Sequence, residues 1–321
     1  MTIVDRTVRP YSSLARSEIG VPPPGFRLPD DTKIGRVVLQ IADLDRSVGF
    51  YRDVIGFHLI DRIDDASHRS ASLGIHPADL PGPHQSTPDV LLELREKPGA
   101  QPVPRRGRLG IYHFAVLLPS RGDLGRFLRR ATQLGVHVGA ADHFYSEATY
   151  LVDPDGITVE VYRDRPITDW VIDASGEVVG TTEPFDFAGV SAAGGSDQYA
   201  GLPVGTRIGH MHFFVGDLAQ GEAFYHAALG FSKVNWSFPG ALFVSAGGYH
   251  HHVGLNTWAA GAPVATDADA RLLIWDLRLP DRAGVEAAAD ALRRGGVSVT
   301  ASDGGYLAAD PWGTVVHLRR D

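Results

Sequence analysis

Short stretches of alternating apolar and polar residues recur along the chain, and each is followed by a segment with helical spacing. From Ile34-Gly35 the alternation reads as a strand. Asp43-Leu44 then opens a helix, Phe50-Tyr51 fall on its apolar face and Gly56-Phe57 close it. From Ile208-Gly209 the same order returns, with Asp217-Leu218, Phe224-Tyr225 and Gly230-Phe231 in the matching places. Asp is a favoured helix N-cap, and a glycine at the end supplies the left-handed residue that stops a helix.

A second pair of segments has its own likeness. IYHFAVLLP (111–119) precedes a helical stretch over 124–134 that ends at Gly135. LLIWDLRLP (272–280) precedes one over 285–292 that ends near Gly295-Gly296. Each then reaches a late hairpin, YLVDPDGITVEVY (150–162) and LAADPWGTVVHLR (307–319), with Asp-Pro-x-Gly as the turn. The chain therefore reads as an α+β protein of four βαβββ modules, at 33–97, 108–164, 205–260 and 270–321. Taken in order they make two domains with curved mixed sheets, 33–164 and 205–321. The proline-bearing segment 1–32 is expected to be an extended N-terminal arm. The Gly-, Ser- and Thr-rich segment 165–204 is expected to be a linker.

Composition narrows the function. The 321 residues suit two domains of roughly 100–200 residues each. Hydrophobic residues make up 44% and charged residues 21%, which is a globular balance. The net charge of −8 argues against nucleic acid, whose phosphates require a basic face. There are no cysteines, so any metal must be held by His, Asp or Glu. No apolar run approaches the length of a membrane span, and the N-terminus lacks the apolar core of a signal peptide. A cytoplasmic enzyme without a membrane or nucleic-acid partner is expected, and a homo-oligomer is expected on general grounds.

When the modules are set in register on their first strands, residue 36 is Arg, 113 is His, 210 is His and 274 is Ile. When modules two and four are set in register on Asp-Pro-x-Gly, Glu160 stands where His317 stands. Val159 and Val161 point one way from their strand and Glu160 the other. A carboxylate on the inner face of a sheet is costly unless it is paired or bound to a metal. His210 alternates with His212, so the two face the same side. Two imidazoles and one carboxylate, from His113, His210 and Glu160, form the facial set that suits Fe(II). They leave positions open for substrate and O2, and Mn(II) is an acceptable substitute.

YHFAVLLP (112–119), SEATYLVDPDG (146–156), YRDRP (162–166) and SAGGYHHHVGLNTW (245–258) carry a resemblance to a known family. With the repeat, they make the chain resemble the vicinal oxygen chelate superfamily and, within it, extradiol dioxygenases of the catechol 2,3-dioxygenase type. The resemblance covers about 33–164 and 205–320. It implies a single metal on His113, Glu160 and His210. It also implies catalytic parts for Tyr150, ten residues before Glu160, and for His143 in DHFYSE. The acid–base His falls in YHHHVGLN, where His251 aligns best and His250 and His252 are close alternatives. The implied reaction is Fe(II)-dependent cleavage of catechol, or another small aromatic diol, with O2 to a muconate semialdehyde.

The chain departs from the family in where its ligands fall. In the two-domain relatives all three lie in the last two modules, whereas here they lie in modules two and three. Either module two pairs directly with module three, which is favoured, or a second subunit completes the site. Two other functions stay open. One is a glyoxalase-like metal-dependent isomerase or lyase, in which Glu93 would add a second carboxylate. The other is a non-catalytic protein that binds aromatic ligands. Phe144, Tyr145, Trp236, Phe238 and Trp258 are candidate pocket residues.

Overall fold

The computed structural model describes residues 8–65, 67–75 and 89–321. The first seven residues of the arm, and residues 66 and 76–88 of module one, lie outside the described residues. The arm contributes β1 (Val8–Pro10). Module one comprises β2 (Lys33–Ile41), α1 (Leu44–Gly49), β3 (His58–Asp64), β4 (Arg69–Gly74) and β5 (Val90–Glu96). Module two comprises β6 (Gly110–Leu117), α2 (Arg121–Gln133), β7 (Gly139–Asp142), β8 (Ser146–Val152) and β9 (Thr158–Asp164). Between the halves lie β10 (Val171–Asp173) and α3 (Phe187–Ala193). Module three comprises β11 (Arg207–Phe214), α4 (Leu218–Glu222), β12 (Ser232–Asn235), β13 (Ala241–Ser245) and β14 (Val253–Asn256). Module four comprises β15 (Arg271–Leu279), α5 (Arg282–Arg294), β16 (Val299–Ser302), β17 (Gly305–Ala309) and β18 (Val315–Arg320).

Each module is thus a βαβββ unit, in an α+β fold. All four module helices open on a side-chain cap: Asp43, Ser120, Asp217 and Asp281 each accept a backbone N–H three residues on. The helix ends differ from the simple expectation. After α1 the chain widens into a π-helix over Phe50–Ile55, and after α4 over Ala223–Ala228. The wider turn buries both Phe224 and Tyr225, and Tyr51 with Phe50 half-buried beside it. Gly56 and Gly230 follow at φ +98°, which favours glycine.

The sheets are not formed by consecutive halves. One eight-stranded mixed sheet runs β12-β13-β14-β11-β6-β9-β8-β7, joining modules two and three through antiparallel β11 and β6. The other runs β16-β17-β18-β15-β2-β5-β4-β3, joining modules one and four through β15 and β2. The halves 33–164 and 205–321 therefore each give one module to each sheet. The open β6 edge of module two finds its partner in β11 rather than in module one, because backbone groups at such an edge need hydrogen bonds.

The turns tie the two sheets together. Asp153 Oδ1 accepts the N–H groups of Asp155 and Ile157, which fixes the Asp-Pro-x-Gly turn of module two. Its Oδ2 accepts the hydroxyl of Tyr51 from module one at 2.8 Å. Asp310 repeats both roles: Oδ1 holds the N–H groups of Trp312 and Thr314, and Oδ2 accepts Tyr225 of module three at 2.9 Å.

Residues 165–204 do more than link the halves. Strand β10 pairs with β1 of the arm, α3 packs on α2, and the carbonyl of Thr181 reaches the candidate site. Trp170 packs edge-on against Tyr11 of the arm, 5.4 Å between ring centres. No helix among the described residues is long and apolar enough to cross a membrane.

Candidate metal centre and its cavity

Three central strands of the module two–three sheet supply the polar cluster. His113 is on β6, Glu160 on β9 and His210 on β11, and their candidate ligand atoms all lie within 4.8 Å of one another. Glu160 Oε2 is 3.0 Å from His113 Nε2 and 3.2 Å from His210 Nε2. All three residues are at most 3% exposed. Parallel pairing puts Ala115 beside Glu160 and antiparallel pairing puts Ala115 beside His210, so one small residue separates the ligand positions across the strands.

The donor chemistry fits a divalent cation. Nδ1 of His113 and Nδ1 of His210 are buried without a hydrogen-bond partner, and His113 Nε2 meets Glu160 at 3.0 Å without good hydrogen-bond alignment. Burial pulls the His210 imidazole down to about 4, further than Glu160 can raise it, so the ring is neutral near pH 7. Burial pushes the Glu160 carboxyl up, but His210 and His113 outweigh it and hold the group well below the usual carboxylate range. A buried carboxylate beside neutral imidazole lacks a compensating charge, and a cation held by His113, Glu160 and His210 would supply it.

The cluster lies in a cavity of about 210 Å³ that brings together the residues singled out from sequence. His113, His143, Tyr150, Glu160, His210 and His251 all line it. Tyr150 stands directly opposite Glu160 in the β8–β9 hairpin, which is the structural meaning of their ten-residue spacing. Burial, followed by the Glu160 charge, raises the Tyr150 phenol well above 10, so it keeps its proton. His143 Nδ1 is 2.6 Å from the carbonyl of Thr181 and must donate to it. Its Nε2, 2.8 Å from the Tyr150 hydroxyl, then accepts from the phenol in the neutral ring. The turn that presents His143 has Phe144 at φ +69°, a costly conformation for an aromatic residue.

The three consecutive histidines separate clearly. His251 lines the cavity, with its ring centre 4.1 Å from that of His210. Burial, followed by the charges of His210 and His250, holds it well below 6.5 and therefore neutral. His250 and His252 are not among the cavity-lining residues. Nδ1 of His252 is taken up by Ser245 and the Ala246 N–H. Of the five aromatic candidates, Tyr145, Phe238 and Trp258 line the cavity, whereas Phe144 and Trp236 do not.

Some site residues were not given a role from sequence. His212 lines the cavity and is held by Asn256 Nδ2 at 3.0 Å; its alternation with His210 was the available signal. Gly180, Thr181 and Thr182 come from the presumed linker, where no periodicity marks them.

Modules one and four show what the sheet does without this set. Val38 pairs with Glu93 as Ala115 pairs with Glu160, so Arg36 and Glu93 occupy the places of His113 and Glu160. Arg36 Nη1 donates to Glu93 at 2.6 Å, and its guanidinium also reaches Asp276 at 3.5 Å. Glu93 also accepts Arg95 and lies in the other sheet, outside the His113–Glu160–His210 cluster, so it does not add a second carboxylate there.

The family follows from this fold and site. Residues 33–161 and 207–318 match the model of the Glyoxalase/Bleomycin resistance protein/Dioxygenase superfamily, and the chain belongs to that family. It is 39% identical over 284 residues to a protein of Bacillus subtilis (strain 168) named catechol-2,3-dioxygenase, covering 88% of this chain and 95% of that one. In fold it resembles a structure described as a putative dioxygenase from Bacillus subtilis, with TM-score 0.63 and 14% identity. That match covers 92% of this chain and 86% of the other. Glyoxalase I from Zea mays matches with TM-score 0.54 and 16% identity, covering 90% and 92%.

Proposed function

We propose that the chain is an extradiol dioxygenase that cleaves catechol or a substituted catechol with O2 to a muconate semialdehyde. His113, Glu160 and His210 would hold Fe(II), with Mn(II) as an acceptable substitute. The observation that carries this reading is the buried two-His, one-Glu cluster facing a cavity that also holds His251, Tyr150 and His143. The 39% identity to a protein named catechol-2,3-dioxygenase supports it. Bound Fe(II) would supply the place where the diol and O2 meet and a path by which electrons of the diol ring reach O2.

The remaining work falls to the protein's own groups. Tyr112, Phe238, Phe243 and Trp258 wall the cavity, take an aromatic ring by apolar contact and exclude water. His251, neutral and facing the cavity, takes a proton from a catechol hydroxyl and returns it later. Tyr150 and His143 act as a pair. In the neutral state the phenol proton is directed at His143 Nε2, so the Tyr150 oxygen offers lone pairs to the cavity. A proton gained at Nε2 turns Tyr150 into a donor toward the substrate oxygens.

A glyoxalase-like site would need a further protein ligand, and among the described residues the cluster has only three members. The test is incubation of the Fe(II)-reconstituted protein with catechol, with and without air. Yellow semialdehyde formed only in air is expected. Turnover without air would indicate an isomerase or lyase. Full metal loading with no semialdehyde would overturn the catechol assignment, and substoichiometric metal of every kind after anaerobic reconstitution would indicate a binding protein.

A further inference from the structure

The loop between β13 and β14 holds a hydrogen-bonded chain that the proposed chemistry does not yet use. His250 Nε2 is 2.8 Å from Asp164 Oδ1, at the end of β9. His250 Nδ1 is 2.8 Å from His251 Nδ1. His250 is only 1% exposed and stacks on Tyr145, ring centres 4.3 Å apart and planes 12° from parallel. Asp164 is held from its other side by the Tyr249 hydroxyl at 3.0 Å, and Tyr249 meets the Tyr162 hydroxyl at 2.8 Å.

The direction of each bond follows from which atoms can donate. A carboxylate accepts only, so His250 Nε2 carries the hydrogen that faces Asp164. In a neutral ring His250 Nδ1 is then bare and accepts. The hydrogen between the two rings therefore sits on His251 Nδ1, and His251 Nε2 is left without one. Nε2 has no hydrogen-bond partner among the described residues, while its ring borders the cavity. A residue two steps away from the cavity thus decides which nitrogen of the cavity-facing ring can take a proton.

We propose that Asp164 is a positioning residue that, acting through His250, fixes His251 as its Nδ1–H tautomer with a bare Nε2 toward the substrate. The logic resembles that of a carboxylate behind the histidine of a hydrolase triad, with one more imidazole inserted. The inference rests on the reading of His251 as the acid–base group, yet its main observable does not depend on turnover.

The decisive measurement is long-range 1H–15N correlation on the full chain, labelled with 15N-histidine and loaded with diamagnetic Zn(II). His251 is assigned by comparison with His251→Ala. Wild type is expected to show His251 protonated at Nδ1 only and His250 at Nε2 only. Asp164→Ala is expected to move His251 toward the Nε2–H form, and Asp164→Asn, the variant closer in shape, to move it less in the same direction. With Fe(II) and catechol, Asp164→Ala should lower kcat about 10²-fold, the low end of general acid–base catalysis. KM and metal content should hold, and the Asp164→Ala/His251→Ala double variant should be no slower than His251→Ala alone. A wild-type spectrum with His251 protonated at Nε2, or unchanged spectra in every folded Asp164 variant, overturns the proposal. Absence of any turnover by wild type overturns the dioxygenase reading instead and leaves the tautomer result standing.

Discussion

The Tyr51 hydroxyl donates to Asp153 Oδ2 at 2.8 Å, joining the last turn of the module-one helix to the late turn of module two. Tyr225 and Asp310 repeat the bond between modules three and four. In each case the helix belongs to one sheet and the turn to the other. Two features that recur along the sequence, Phe-Tyr in the helix and Asp-Pro-x-Gly in the hairpin, are thus the two halves of one cross-sheet contact. Removing one hydroxyl leaves a buried carboxylate oxygen short of a donor, which costs about 1–3 kcal/mol. Tyr51→Phe should therefore lower the urea midpoint by a matching amount, and an unchanged midpoint would contradict the contact's role.

Asp153 also sets a pH dependence. Burial raises its carboxyl to about 7, against the pull of the Tyr51 and backbone hydrogen bonds. The folded state then holds a proton that the unfolded chain has lost above about pH 4. The stability from this group is fully present below that point and declines as pH rises to about 7. Asp153→Asn cannot ionise, so its stability relative to wild type should rise between pH 5 and pH 8 in urea titrations. A constant difference across that range would contradict the assignment.

The repeat, the helix caps and the identity of the clustered residues were legible in the sequence, because each has a local signature. Period-two alternation marks β2 and β11, Asp43 and Asp217 mark their helix starts, and Tyr150 and Glu160 carry their hairpin register in their spacing. Which module pairs with which is set by strand edges meeting far along the chain, and the consecutive halves proved not to be the units of the sheets. The parts of Thr181 and Asp164 were hidden for a similar reason: each acts through one hydrogen bond to a residue distant in sequence.

Tyr150 and His143 form one hydrogen-bonded pair, so their losses should not add. Tyr150→Phe should slow catechol turnover by about 10²–10³-fold at full metal loading, in line with removal of one positioned polar group. His143→Ala should cost a similar factor, and the double variant little more than either. Fully multiplicative losses in steady-state kinetics would show that the two act separately.

In the other sheet Arg36 stands in the place of a ligand and neutralises Glu93 and Asp276. Arg36→Met should destabilise the fold by about 2 kcal/mol, since an ion pair broken on one side leaves charge uncompensated, although Arg95 still meets Glu93 and Arg319 still meets Asp276. Metal content should stay at the wild-type level. A fall in bound metal in the folded variant would mean that modules one and four reach the centre after all.

The central claim is that His113, Glu160 and His210 hold one divalent metal. Elemental analysis of wild type and Glu160→Ala, each reconstituted anaerobically with Fe(II) and desalted, tests it most directly. One iron per wild-type chain and almost none in the variant is the predicted result. Stoichiometric iron in the folded Glu160→Ala protein would contradict it.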